Sequence, residues 1–124
     1  MISDINTLLG IDSSSFSGND KYIRYNNGVQ ICWGKTTYNF TSFVQWGSVY
    51  ETNNGTTITF PKSFINNDVS ISLQCYLPDG SASMGTETTN VTSSGIAGVY
   101  AIRPNTNASP GTVKVTYFAI GMWK

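Results

Sequence analysis

The stretch Thr112–Lys124, T-V-K-V-T-Y-F-A-I-G-M-W-K, sets the strictest condition on what this chain can become. Successive side chains of a strand point to opposite faces. Val113, Val115 and Tyr117 therefore share one face, and Lys114 and Thr116 share the other. From Phe118 onward that alternation ends. Phe118, Ile120 and Met122 take over the face that Lys114 and Thr116 began, while Ala119 and Trp123 continue the first face. A strand that is apolar on both sides has to be covered on both sides. A chain of 124 residues is a single domain in size and has little material for two covers. The second cover is expected to come from another copy of the same protein.

The rest of the chain reads as all-β. Short β-branched and aromatic runs alternate with Gly, Asn, Pro and Ser punctuation. Strands are expected over Lys21–Tyr25, Val29–Gly34, Thr56–Phe60, Val69–Leu77, Thr89–Thr92, Ile96–Ile102 and the final stretch. Asn26-Asn27-Gly28 supplies a hairpin turn between the first two. Val29, Ile31 and Trp33 line one face of their strand. In Val69–Leu77, the residues Val69, Ile71, Leu73, Cys75 and Leu77 point inward, and Ser70, Ser72, Gln74 and Tyr76 outward. Lys35–Tyr50 fits one hairpin or a long structured loop, and 81–88 and 103–111 read as polar loops. About eight short strands at this spacing predict an antiparallel β-sandwich.

The sandwich is expected over residues 21–124. Residues 1–20 are expected to be an N-terminal linker or the end of a coiled coil. Ile2, Ile5 and Leu9 fall at seam spacing, but so short a segment is not a stable helix alone. A frayed terminus fits equally well.

Several function classes are excluded. Seven basic groups balance seven acidic ones, so there is no basic field for nucleic acid or anionic membrane. No apolar run approaches the roughly 20 residues that cross a bilayer, and the N-terminus shows no signal-peptide pattern. There is no histidine, which rules out Ser-His and Cys-His nucleophile pairs and histidine metal sites. Cys32 and Cys75 are expected to be buried free thiols. The sequons at Asn39, Asn54, Asn90 and Asn107 are attributed to the Asn- and Thr-rich composition. Of the carboxylates, Asp79, Glu87 and Glu51 alone suggest a glycosidase-type pair, and they read better as solvated loop acids. No enzyme activity, cofactor or metal is expected.

The aromatic stretch carries the positive signal. Tyr38, Phe40, Phe43, Trp46 and Tyr50 crowd into 13 positions. Such rings stack on sugar C–H faces and anchor protein interfaces, and they also pack cores.

Four blocks in order resemble the C-terminal domain of bacteriophage tail fibres: Asn27–Gly34 (N-G-V-Q-I-C-W-G), Thr57–Phe64 (T-I-T-F-P-K-S-F), Val91–Ile96 (V-T-S-S-G-I) and Val115–Gly121 (V-T-Y-F-A-I-G). The later blocks also resemble the H-type lectin domain, whose sugar-binding residues have no matching motif in this sequence. Phe118 stands where the tail-fibre family often has Trp, and Lys35–Gly55 is longer and more aromatic than the usual connection. The resemblance implies a homotrimeric knob at the tip of a fibre, part of the virion and assembled in the host cytoplasm. Its partner would be a bacterial surface polysaccharide or an outer-membrane protein. On that reading Tyr38, Trp46, Tyr50, Tyr76 and Arg103 are the candidate receptor contacts. Ile2, Ile5, Leu9, Phe118, Ile120 and Met122 are the candidate trimer contacts. The alternatives are a purely structural trimerisation domain and a lectin-like sugar-binding module.

Overall fold

A computed structural model of the chain describes residues 8, 10–79, 83, 85–106 and 109–124. From residue 10 onward the described elements are all strands: β1 Ile11–Ser15, β2 Asp20–Tyr25, β3 Val29–Phe40, β4 Phe43–Trp46, β5 Val49–Thr52, β6 Thr56–Thr59, β7 Ser70–Tyr76, β8 Gly85–Glu87, β9 Asn90–Val91, β10 Gly95–Arg103 and β11 Gly111–Met122. One sheet has the order β1-β2-β3-β11-β7. The second has β4-β5-β10-β6, with β8 and β9 also on β10. All pairings are antiparallel. The all-β sandwich expectation holds, with eleven strands in place of about eight. Four short strands, β1, β4, β5 and β8, add to the seven placed from the sequence. β1 lies in the supposed linker, β8 in the polar stretch 81–88, and the aromatic stretch divides between the far half of β3 and a β4–β5 hairpin.

The final stretch is the spine of the first sheet. β11 pairs with β3 over twelve consecutive residues, from Gly111–Phe40 to Met122–Val29, and with β7 on its other edge. The inward face follows the sequence. Val113, Val115, Tyr117 and Ala119 are fully or almost fully buried. On the second sheet they face Ile58, Ile96, Val99 and Ala101, and Phe60 and Phe64 close the core edge to face, with centroids 5.2 Å apart. In β10 a bulge between Ile96 and Val99 lets one strand serve two partners on each edge. Gly98 carries it with φ +64°, a region that favours glycine.

The more apolar face of β3 is not the buried one. Val29, Ile31 and Trp33 do share a face, but it is the outer one. Gln30 and Cys32 occupy the core face and are fully buried. Gln30 is tolerated because its polar atoms are satisfied: Arg24 Nε donates to its Oε1 at 2.6 Å, and its Nε2 donates to the Lys62 carbonyl at 2.8 Å. Arg24 also donates to the Ser63 carbonyl and lies over the Trp123 ring. This cluster latches the 61–64 loop and the C-terminal residues to the start of β3.

Cys32 and Cys75 are free and buried. Cys32 pairs with Ala119 and Cys75 with Val115, on opposite edges of β11 and four residues apart along it, so they are out of bridging range. Burial pushes both thiols above their ordinary value of 9.0. The Tyr117 hydroxyl donates to Asp20 at 2.7 Å. Its burial first, then the hydrogen bond and the charge of that carboxylate, lift it well above 10.0.

Two outcomes follow. Phe40 is 2% exposed and packs edge to face on Phe43. Phe40→Ala is expected to cost about 3–5 kcal/mol in urea unfolding. The buried thiols and phenols are held neutral by the fold. Their contribution is complete below their unfolded-state values and is lost as pH climbs toward the raised folded values. Urea midpoints are expected to be level up to about pH 9 and to fall from there to pH 11; a midpoint that rose over that range would contradict the assignment.

Candidate functional site

The outer face of the five-stranded sheet is divided in two. Reading β11 against β3, the outward pairs are Met122–Val29, Ile120–Ile31 and Phe118–Trp33, then Thr116–Lys35, Lys114–Thr37 and Thr112–Asn39. Three apolar rows give way to three polar ones at a single step. Ile23 extends the apolar half through its pairing with Ile31, and Phe16 lies against Trp33 with centroids 5.8 Å apart. In the single chain Phe118, Ile120 and Met122 are 44%, 38% and 42% exposed. A contiguous apolar sheet face of this kind marks an interaction surface.

The apolar half lies at the end where the chain enters β1 and where β11 finishes. Asn26 N donates to the Gly10 carbonyl and Trp123 N to the Gly28 carbonyl there. The opposite end gathers the β4–β5 hairpin, the turn after β7 and the connection from β10 to β11. Ile2, Ile5 and Leu9 lie outside the described residues.

At that opposite end the aromatic hairpin forms the edge of the second sheet. Its two-residue loop places Gly47 first with φ +60°, the position a type II′ turn reserves for glycine. Asn53 clamps its base: its carboxamide oxygen accepts from the N–H groups of Thr41 and Ser42, and its nitrogen donates to Thr41 Oγ1. Phe43 anchors it on Phe40. Trp46 pairs with Val49 beside the turn and is 50% exposed, on the same hairpin face as exposed Val44. Tyr50 pairs with Gln45 and with Arg103, on the other face. Tyr76 is part of the other sheet, on the outer face, where it pairs with Lys114.

Four of the five expected receptor contacts therefore share one end of the molecule, divided over three surfaces. The fifth is corrected. Tyr38 is only 8% exposed and points into the sandwich. Its hydroxyl accepts from Ala101 N–H at 2.9 Å and bonds Thr52 Oγ1 at 2.9 Å, tying the two sheets together. It is a core strut with no ring surface to offer. Among the carboxylates, Glu51 pairs with Ile102 and Glu87 with Tyr100 on opposite edges of β10, which separates the two across a central strand. No group of three or more acidic, Cys or His residues that could hold a metal ion occurs among the described residues.

The chain superposes on an N-truncated R1-type pyocin tail fiber with a TM-score of 0.57 at 18% identity, over 98% of this chain and 96% of that one. It also superposes on an R1 pyocin fiber of P. aeruginosa comprising C-terminal residues 323–701, with a TM-score of 0.55 at 16% identity. That match takes in 88% of this chain, which spans 27% of the longer one. Residues 41–122 match the family described as tail fiber protein gp53-like, C-terminal, and the chain belongs to that family. No curated protein matches the sequence at comparable stringency.

The assignment of Tyr38 is checked by Tyr38→Phe. Removing the hydroxyl leaves the buried Ala101 N–H without its acceptor, so the variant is expected to lose about 1–3 kcal/mol of stability. The exposed surface is unchanged, and binding per folded molecule is expected to stay at the wild-type level.

Proposed function

We propose that this domain is the receptor-binding tip of a tail fibre, carried on the virion or a related phage-like particle. It assembles as a homotrimer through the apolar half of the outer sheet face and holds the bacterial surface through the opposite end. The observation that carries this reading is the division of that one face. Trp33, Phe118, Ile120 and Met122 form a surface suited to burial between copies at the end where the chain enters, and the aromatic hairpin exposes Val44 and Trp46 at the other end.

The activity on this reading is non-covalent adhesion, not catalysis. Trp46 is the principal anchor, and Tyr50 with Arg103 forms a second contact on the reverse of the hairpin. Tyr76 contributes from the neighbouring sheet. With few charges and many Asn, Ser and Thr groups, contact rests on ring stacking and hydrogen bonds, which suits a surface glycan ahead of an outer-membrane protein. Single contacts of this type are weak. Three per fibre and several fibres per particle raise the effective concentration enough for firm attachment. A purely structural trimerisation role accounts for the apolar face but leaves the exposed Trp46 and its clamped hairpin without a purpose.

Two variants separate the halves. Trp46→Ala with Tyr50→Ala is expected to reduce binding to susceptible cells at least tenfold while the oligomer seen by light scattering is retained. Phe118→Ser with Ile120→Ser is expected to yield folded monomers. Unchanged cell binding by the first pair, or a stable wild-type monomer, would sink the proposal.

A further inference from the structure

We infer that the polar half of the outer sheet face is a second contact site, built for a saccharide bearing a negative charge; this rests on the adhesion reading above and specifies part of its ligand. The centre of the site is Lys114 on β11. Its neighbours across the sheet are Thr37 on β3 and Tyr76 on β7, and Lys35 lies two residues along β3 on the same face. Two shallow depressions meet at Lys114. One, of about 390 Å³, is lined by Thr37, Tyr76, Leu77, Pro78, Thr112 and Lys114. The other, of about 300 Å³, is lined by Asn19, Lys35, Thr36, Thr37 and Lys114. Each is at the lower end of the size range of small-ligand sites.

The charges in these depressions have no structural employment. The chain has five lysines. Lys21 donates to the Gly18 carbonyl, Lys62 lies over the Tyr22 ring and Lys124 over the Trp123 ring. Among the described residues no hydrogen bond, ion pair or ring engages the ammonium groups of Lys35 and Lys114. No carboxylate lines either depression. The two lysines are diagonal neighbours across adjacent strands, about 7–8 Å apart at the backbone. Like charges so placed repel, and no carboxylate of the lining relieves them.

A bound anion relieves them. A carboxylate or phosphate seated between Lys35 and Lys114 would meet both cations, and Thr37 between them offers a hydroxyl. The sugar ring carrying that group would then extend over Tyr76, which is 37% exposed, with Leu77 and Pro78 as an apolar floor. A neutral glycan gains the ring contact alone. The site thus selects acidic over neutral sugars, and its selectivity weakens as salt screens the charges.

The test is calorimetric titration of the full chain with tetragalacturonate, glucose 6-phosphate and maltotetraose in low and moderate salt. Tetragalacturonate is expected to bind at least tenfold more tightly than neutral maltotetraose, with the preference shrinking as salt rises. The phosphate probe shows whether the charge or the carboxylate shape is selected. Lys114→Gln and Lys35→Gln are each expected to remove most of that preference with an unchanged melting temperature, and Tyr76→Ala to weaken all three sugars. Equal affinity for acidic and neutral tetrasaccharides, a preference that survives both lysine substitutions, or no binding of any probe overturns the site. Wild-type protein that adheres to cells through Trp46 while ignoring every acidic probe removes this inference and leaves the adhesion reading standing. A wild type that adheres to no cell removes the adhesion reading, whichever probes bind.

Discussion

The pairing of β11 between β3 and β7 is the contact on which the rest depends. It joins strands that are distant in sequence and fixes, through the two-residue period of a strand, which side chain of every neighbour faces the core. A one-residue slip would turn Val113, Val115, Tyr117 and Ala119 outward and bring Lys114 and Phe118 into the sandwich. The register is held at the chain-entrance end by the turn at 26–28. There Trp123 N donates to the Gly28 carbonyl, and Gly28 holds φ +100°, a conformation that favours glycine. Once the register is set, the placing of Cys32, Tyr38 and Phe40 under the second sheet follows without further choice.

That constraint explains where the sequence is legible. β11 and β7 announce their buried faces because their inward residues are the more apolar ones, and the doubled apolar face of β11 is visible as such. β3 does the reverse. Its outward residues Val29, Ile31 and Trp33 are more apolar than inward Gln30 and Cys32, so periodicity alone points to the wrong side. Gln30 is acceptable inside only because Arg24 on the neighbouring strand β2 and the Lys62 carbonyl, 32 residues away on a loop, complete its hydrogen bonds. The signal that β3 follows β11 in carrying a second apolar face was present, since its stripe faces the same way as Phe118, Ile120 and Met122 once the two strands are paired. Pairing is the one thing a single-strand pattern does not contain.

The aromatic stretch was legible as a feature and not as a distribution. Tyr38 and Phe40 belong to β3 and go inside, Phe43 is the hinge of the hairpin, and Trp46 stays out. What separates them is strand parity and the position of the turn at Gly47. Burial also gives Tyr38 and Trp46 different tasks, although both are rings with a polar handle. The short strands β1 and β8 are not visible in the sequence because Ser-, Thr- and Gly-rich segments gain their conformation from pairing with a neighbour and have little apolar periodicity of their own.

The position of β11 in the chain has a consequence for synthesis. Its partners on β3 lie between 71 residues away, for Gly111 and Phe40, and 93 residues away, for Met122 and Val29. Contacts so remote close slowly, because the loop entropy is spent before the pairing is gained. Until residues 111–122 have left the ribosome, β3 and β7 have an empty slot between them and two strand edges open to any passing chain. The domain is therefore a late folder. The outer apolar face forms only when its last strand does, so no subunit presents it before its own core is shut.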